Sequence, residues 1–73
     1  MTSDSTFKDA IHASLKAMHK LLVTATEETN IACDNMADNQ QNMAIGSLML
    51  VEDHLEQAAN LYKAIIAMHR LKL

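Results

Sequence analysis

The 73-residue sequence contains no proline and no tryptophan, and it has only one glycine, one cysteine, one phenylalanine and one tyrosine. The single cysteine, Cys33, cannot form an internal disulfide, which removes one means of stabilising so short a chain. One unpaired thiol is typical of a protein in a reducing compartment. So few aromatic residues argue against a β-sheet or an aromatic pocket, whereas six methionines and many alanines are typical of packed helices.

A basic patch and a long apolar run are also missing. The net charge is −3 with neutral histidines, and no cluster of Lys and Arg resembles a nucleic-acid-binding surface. No apolar run approaches the length of about 18 residues that a membrane-spanning helix needs. The N-terminal residues MTSDSTF lack the basic and then apolar layout of a signal peptide. We therefore expect a cytoplasmic protein that binds no nucleic acid and makes no membrane contact.

The longest regular pattern runs from Leu48 to Leu71, a stretch without Gly or Pro. Its apolar residues recur at spacings of three and four, which is the period of one helical face. In its last third, further apolar side chains widen that face to roughly 220° at about 100° per residue. A surface helix needs a stripe only a little over 100° wide. This helix is therefore expected to pack against more than one neighbour.

A second heptad-like pattern precedes a polar segment and predicts a helix over about residues 6–36, with Thr6 and Asp9 as a weak capping box. Residues 34–42 (DNMADNQQN) lose the pattern and are rich in Asn and Asp, which favour turns. We predict a turn at about 37–41 and a second helix over about 42–72. The fold class is then all-α, a single antiparallel two-helix hairpin. One long bent helix and a break at Gly46 are the alternatives.

Two sets of apolar residues are candidates for packing. Such a hairpin is too small to hold a large core of its own, so we expect it to be stable only in a helical bundle or polymer. The inner seam of the hairpin is predicted to contain Leu15, Met18, Leu22, Leu48, Val51, Leu55, Tyr62 and Ile65. A second interface, buried when copies associate, is predicted to contain Leu61, Ile66, Met68 and Leu71.

The charges predict the orientation of that association. The first helix begins basic and ends acidic, and the second begins acidic and ends basic. In a hairpin, both basic ends meet at the termini and both acidic ends meet near the turn. A copy packed antiparallel to the first places basic against acidic along its whole length. Exposed ion pairs contribute at most about 0.5 kcal/mol each, so they select the orientation while apolar burial drives association.

The four histidines are the only residues that suggest site chemistry. None has a Glu three residues before it, and the His-Glu-x-x-His and Cys/His zinc spacings are missing, so we predict no metal, cofactor or catalytic site. Protonation of all four would change the net charge from −3 to +1 between about pH 7 and pH 5. They are candidates for pH sensing, and solvated side chains without a role are the alternative. The four are His12, His19, His54 and His69.

The central part of the chain resembles a known family. The matching residues are Ala17-Met18, Leu21, Thr24, Ala32, Asn35 and Gln40-Gln41, followed by Leu61-Tyr62. In this pattern the chain is similar to the R-body (refractile body) structural proteins, although the family's proline before the Ala-Met stretch is missing. The resemblance implies a small helical subunit that polymerises into a coiled ribbon in bacterial cytoplasm and extends when the pH falls.

These observations predict a non-enzymatic structural subunit that assembles with itself into an R-body-like, pH-responsive polymer. Its partners are expected to be copies of itself or related helical subunits. The alternative is a closed homodimer, a four-helix bundle that acts as a small adaptor or regulator of another macromolecule. The two differ at the outer face of the second helix, since a polymer buries that face and a closed dimer leaves part of it exposed.

Overall fold

The computed structural model describes the backbone of residues 3–71 and the side chains of residues 7–71. Helix α1 spans Ser3–Ala37 and helix α2 spans Gln41–Leu71. They pack antiparallel in a hairpin that measures 57 × 14 × 11 Å between Cα atoms. The predicted all-α hairpin is confirmed, and α2 continues through Gly46 without a break.

The helix ends differ slightly from the predicted bounds. Helix α1 begins at Ser3, so Thr6 lies inside the helix and the predicted capping box there is wrong. The long regular helix simply extends upstream of that sequence signal. Lys72, the predicted last residue of the second helix, lies outside the described residues.

The turn closes α1 with a Schellman motif centred on Asn39. This residue has a φ of 62°, in the left-handed region that Asn tolerates better than most other residues. The Gln40 N–H donates to the Asn35 carbonyl at 2.8 Å, and the Asn39 N–H donates to the Met36 carbonyl at 3.0 Å. These two bonds are the pair that defines the motif. Asn39 thus makes the turn without the glycine that usually marks one.

Burial repeats every seven residues in both helices, with steps of three and four between inward positions. That spacing is the signature of a coiled-coil seam. In α1 the seam consists of Phe7, Ile11, Ser14, Met18, Leu21, Ala25, Glu28, Ala32 and Asn35. In α2 it consists of Ala44, Ser47, Val51, His54, Ala58, Leu61, Ile65 and Met68.

The seam corrects the sequence prediction for several apolar residues. Met18, Val51 and Ile65 lie in it as predicted. Leu61 and Met68, predicted for an outer interface, also lie in the seam. Five residues predicted for the inner seam are instead 38% to 55% exposed, because each follows a seam position by one residue and points to the side of the hairpin. They are Leu15, Leu22, Leu48, Leu55 and Tyr62.

The interior of the hairpin is small. Among the described residues, the buried side chains are one valine and four alanines: Ala25, Ala32, Ala44, Val51 and Ala58. The accessible surface is 5590 Å², whereas a compact monomer of 8.1 kDa should expose about 4,500 Å². The hairpin therefore exposes about a quarter more surface than a compact chain of its mass.

Candidate interaction surface

Exposed apolar side chains of both helices gather on one side of the hairpin. Each follows a seam position, and in an antiparallel helix pair these positions of the two helices lie on the same side. We call this surface the leucine face. It consists of Leu15, Leu22, Met36, Leu48, Leu55 and Tyr62.

Two adjoining grooves show that the leucine face is shared by the two helices. The larger, about 580 Å³, is lined by Leu22 of α1 and by Val51 and Leu55 of α2. The second, about 360 Å³, lies nearer the turn and is lined by Met36 and Leu48. Thr29 and Cys33 line both grooves. Leu15 and Tyr62 continue the surface by one heptad toward the termini.

The hydroxyl groups beside these grooves are bonded within α1. Thr29 donates its Oγ1 hydrogen to the Ala25 carbonyl oxygen at 2.7 Å, and Thr26 donates to the Leu22 carbonyl oxygen at 2.9 Å. Such back-bonding satisfies the hydroxyl without an outside partner. These polar groups therefore do not oppose burial of the leucine face against another apolar surface. Cys33 is exposed beside it.

One polar pair crosses the seam near the middle of the hairpin. Nδ1 of His54 lies 2.8 Å from Oε1 of Glu28, and both side chains are mostly covered. An ionised carboxylate only accepts hydrogen bonds, so Nδ1 of His54 donates. Sequence reasoning grouped the four histidines together and missed this pair. The seven-residue repeat alone could not have revealed it, because the same repeat also fits the neighbouring stripe that contains Leu55.

The remaining predicted residues do not form one continuous surface. His12, His19 and His69 are exposed, and the structure brings none of them into the seam beside Glu28. Ile66 is partly covered and lines a shallow pocket with Tyr62 on α2 alone. Leu71 is exposed at the end of α2. With Leu61 and Met68 in the seam, the predicted second interface is split between the inside and the outside of the hairpin.

Two other kinds of site are absent from the described part of the chain. Among the described side chains, those of residues 7–71, no three or more His, Cys, Asp or Glu residues are placed to hold a metal ion. Neither described helix combines the length and the apolar character needed to cross a membrane. No family model matches the sequence, and no curated protein or solved structure matches it.

Proposed function

We propose that this chain is a non-enzymatic structural subunit that associates with copies of itself through the leucine face. The observation that carries the proposal is the distribution of apolar residues. The buried seam residues are four alanines and one valine, while Leu15, Leu22, Leu48 and Leu55 are each at least 38% exposed. Burying apolar surface contributes about 25 cal/mol per Å², so covering these side chains favours association.

The amount of surplus surface is suited to a protein partner. The hairpin exposes about 1,100 Å² more than a compact monomer of its mass should. A standard protein–protein interface covers about 800 Å² on each partner. One interface on the leucine face would therefore remove most of the surplus, and the paired hairpins would form a four-helix bundle.

The charge layout favours a second copy in antiparallel orientation as that partner. Exposed Lys16, Lys20, Lys63 and Arg70 lie toward the termini, and exposed Asp34, Asp38, Glu52 and Asp53 lie toward the turn. Antiparallel copies place these two ends against each other. Oppositely charged surfaces steer association and select the orientation more than they add affinity.

The leucine face is also self-complementary in this orientation. Leu22 lies midway between Leu15 and Thr29 along α1. At the same level of the hairpin, α2 passes between Leu55 and Tyr62. A two-fold axis through this level places Leu22 against its own copy and Leu55 against Tyr62 of the partner subunit. Isologous contacts of this kind are the commonest in homo-oligomers.

The resemblance to R-body proteins gives the proposal a sharper form, an assembly that responds to acid. Histidine gains its charge between about pH 7 and pH 5, and three of the four histidines are exposed. His54 instead faces Glu28, so its protonation would turn a hydrogen bond within the hairpin into an ion pair. We expect the mass measured by light scattering to change between neutral and acidic pH. A sharp two-subunit mass that is the same at both values would contradict the R-body-like form.

Substitution of Leu22 tests the proposed function directly. Leu22→Glu places a charge at the centre of the leucine face and should lower the mass measured by light scattering. Met49→Glu is the matched control, because Met49 is 70% exposed and lies outside this face. Equal masses for wild type and Leu22→Glu, at concentrations where wild type is associated, would contradict the proposal.

A cross-link tests the orientation. In a chain carrying Cys33→Ser, the substitution Leu22→Cys should produce a disulfide-linked pair under oxidation, because the two-fold axis passes near this residue. The native Cys33 residues of such a pair would lie about 33 Å apart, at about 1.5 Å per residue. They should therefore form no disulfide within the pair. An efficient Cys33 cross-link between paired subunits would refute the antiparallel arrangement.

A further inference from the structure

The side of the hairpin away from the leucine face has a second surface with a distinct pattern. A groove of about 380 Å³ lies there between the helices, lined by Ala17 and Thr24 of α1 and by Gln57 of α2. Steps of seven residues from these positions extend the surface along both helices. We call it the opposite face. It consists of Ala17, Thr24, Ile31, Met43, Leu50, Gln57, Ala64 and Leu71.

Side-chain size on the opposite face changes from one end to the other. Toward the turn it carries large exposed side chains, Ile31 at 51% and Leu50 at 58% exposure. Toward the termini, the corresponding positions are the exposed alanines Ala17 and Ala64. In this central stretch of the face one half projects and the other half is recessed, whereas at its two ends Met43 and Leu71 are both large, at 58% and 71% exposure.

The projecting and recessed residues are related by symmetry. Ile31 and Ala17 each lie seven residues from Thr24, and Leu50 and Ala64 each lie seven residues from Gln57. Thr24 and Gln57 line the same groove, so they lie at one level of the hairpin. A two-fold axis at that level would place Ile31 and Leu50 of each copy over the alanines of the other. Met43 and Leu71 lie equally far from Gln57, so at the ends of the face these two large residues would meet.

The same rotation matches the charges. Lys20 lines the groove beside Ala17, on the half that also carries the exposed Lys63 and Arg70. Asp34 and Asp53 are exposed on the half toward the turn. Size and charge thus both favour an antiparallel copy. A parallel copy would place large side chains against large side chains and acidic side chains against acidic side chains.

We propose that the opposite face is a second docking surface for another copy of this chain, with Ile31 and Leu50 of one copy packed over Ala17 and Ala64 of the next. This inference rests on the proposed function, since it adds a second interface to a subunit that already pairs through the leucine face. The two axes lie on opposite faces and run nearly parallel. Successive rotations about parallel two-fold axes generate a translation, so association extends into an open row of hairpins.

Removal of the projecting side chains should stop association at the pair. The double variant Ile31→Ala, Leu50→Ala keeps the leucine face intact and should sediment as a particle of about 16 kDa, twice the chain mass of 8.1 kDa. Wild type at the same concentration should sediment as larger species. Far-UV circular dichroism should show unchanged helicity, because both residues are exposed.

Exchange of one projecting residue with its recessed counterpart is the decisive experiment. Ala17→Ile alone opposes two isoleucines and should weaken the second contact at least tenfold, although it makes the surface more apolar. Ile31→Ala combined with Ala17→Ile restores one large residue opposite one alanine and should recover the wild-type distribution of masses. Larger assemblies with Ala17→Ile alone, or no recovery in the exchanged variant, would overturn the proposed docking.

The outcomes separate this inference from the proposed function. The second docking surface alone would be refuted if wild type formed only pairs of about 16 kDa and the exchanged variant had the same mass. The leucine-face pair would stand in that case if the Leu22→Cys variant still formed its cross-link. Wild type that remains a single chain at all concentrations tested would refute both. Larger assemblies that persist in the Ile31→Ala, Leu50→Ala variant would refute the second surface alone.

Discussion

The two halves of the hairpin differ in the size of the side chains that fill their seams. In the half near the turn, the seam contains small residues such as Ala25, Ala32 and Ala44, all buried. The large residues of that half point outward, and Ile45, Met43 and Leu50 are each 48% to 58% exposed. The half near the turn thus hides little apolar surface of its own.

The half near the termini has larger residues in its seam, and it also exposes large residues such as Leu15 and Tyr62. Its seam carries large residues, among them Ile11, Met18 and Ile65, and each is partly covered. Its outward positions include the small exposed residues Ala13 and Ala17. Large residues between only two helices cannot be fully covered, because each seam position is enclosed from one side only.

The seam between the two helices is regular, yet it buries few side chains. Alanines near the turn are buried because small residues let two helix backbones approach closely, as they do in helix pairs generally. Close approach leaves no room inside for large side chains, so these point outward. The half near the turn therefore depends most on a covering partner. Substitutions in each half test this difference.

Enlarging a buried alanine near the turn should have the largest effect. Ala44 is 3% exposed, and Ala44→Leu forces added methylene groups between closely packed helices. Overpacking of this kind costs about 2 kcal/mol. Ala13→Leu is the matched control, because Ala13 is exposed on the half near the termini. Urea denaturation at one fixed protein concentration should separate the two variants. Equal midpoints would show that the seam near the turn is not tightly packed.

Changing the residue that closes the turn should have the next largest effect. Asn39 has a φ of 62°, a conformation that costs most L-residues about 1–2 kcal/mol. Asn39→Val should lower the free energy of unfolding by about that amount. Asn39→Gly should keep or slightly raise stability, since glycine is the usual residue at this position of a Schellman motif. If the valine variant were as stable as the glycine variant in urea, the strained turn would not contribute to stability.

The polar pair in the seam should contribute less. Glu28→Leu leaves Nδ1 of His54 without its acceptor, and we expect a loss of about 1 kcal/mol because the pair is not fully buried. Glu28→Leu combined with His54→Leu replaces both partners by apolar groups and should recover most of that loss. A double-mutant cycle by urea denaturation measures the coupling. Additive effects of the two single changes would mean that the observed contact does not stabilise the fold.

Sequence reasoning succeeded for the overall fold because the helical period and the Asn-rich turn are local signals. The seam was harder to predict. Met18, Val51 and Ile65 were predicted correctly because they belong to both possible seams. Two stripes pass through each of these residues, and both alternate steps of three and four residues. One stripe continues along the observed seam, and the other continues along the leucine face.

Apolarity favoured the wrong choice between these steps. It selected Leu55 over His54, and Tyr62 over Leu61, whereas the structure places His54 and Leu61 inward. A hairpin with a second apolar surface contains two stripes of the same period. Periodicity cannot decide which stripe faces the partner helix and which faces another copy. The Glu28–His54 contact, which links residues 26 positions apart, was also beyond a local pattern.

The smallest expected effect concerns Gly46, which lies in α2 on the half near the turn. A Cβ atom built at this residue meets no other atom within 4 Å, and glycine inside a helix is less stable than alanine by about 0.5–1 kcal/mol. Gly46→Ala should therefore raise the urea midpoint at a fixed protein concentration. If a contact between copies used the bare backbone at Gly46, the added methyl group would instead reduce the mass measured by light scattering. Higher stability with an unchanged mass would show that the contacts between copies leave room for a methyl group at Gly46, which lies between Met43 and Leu50 on the surface of α2.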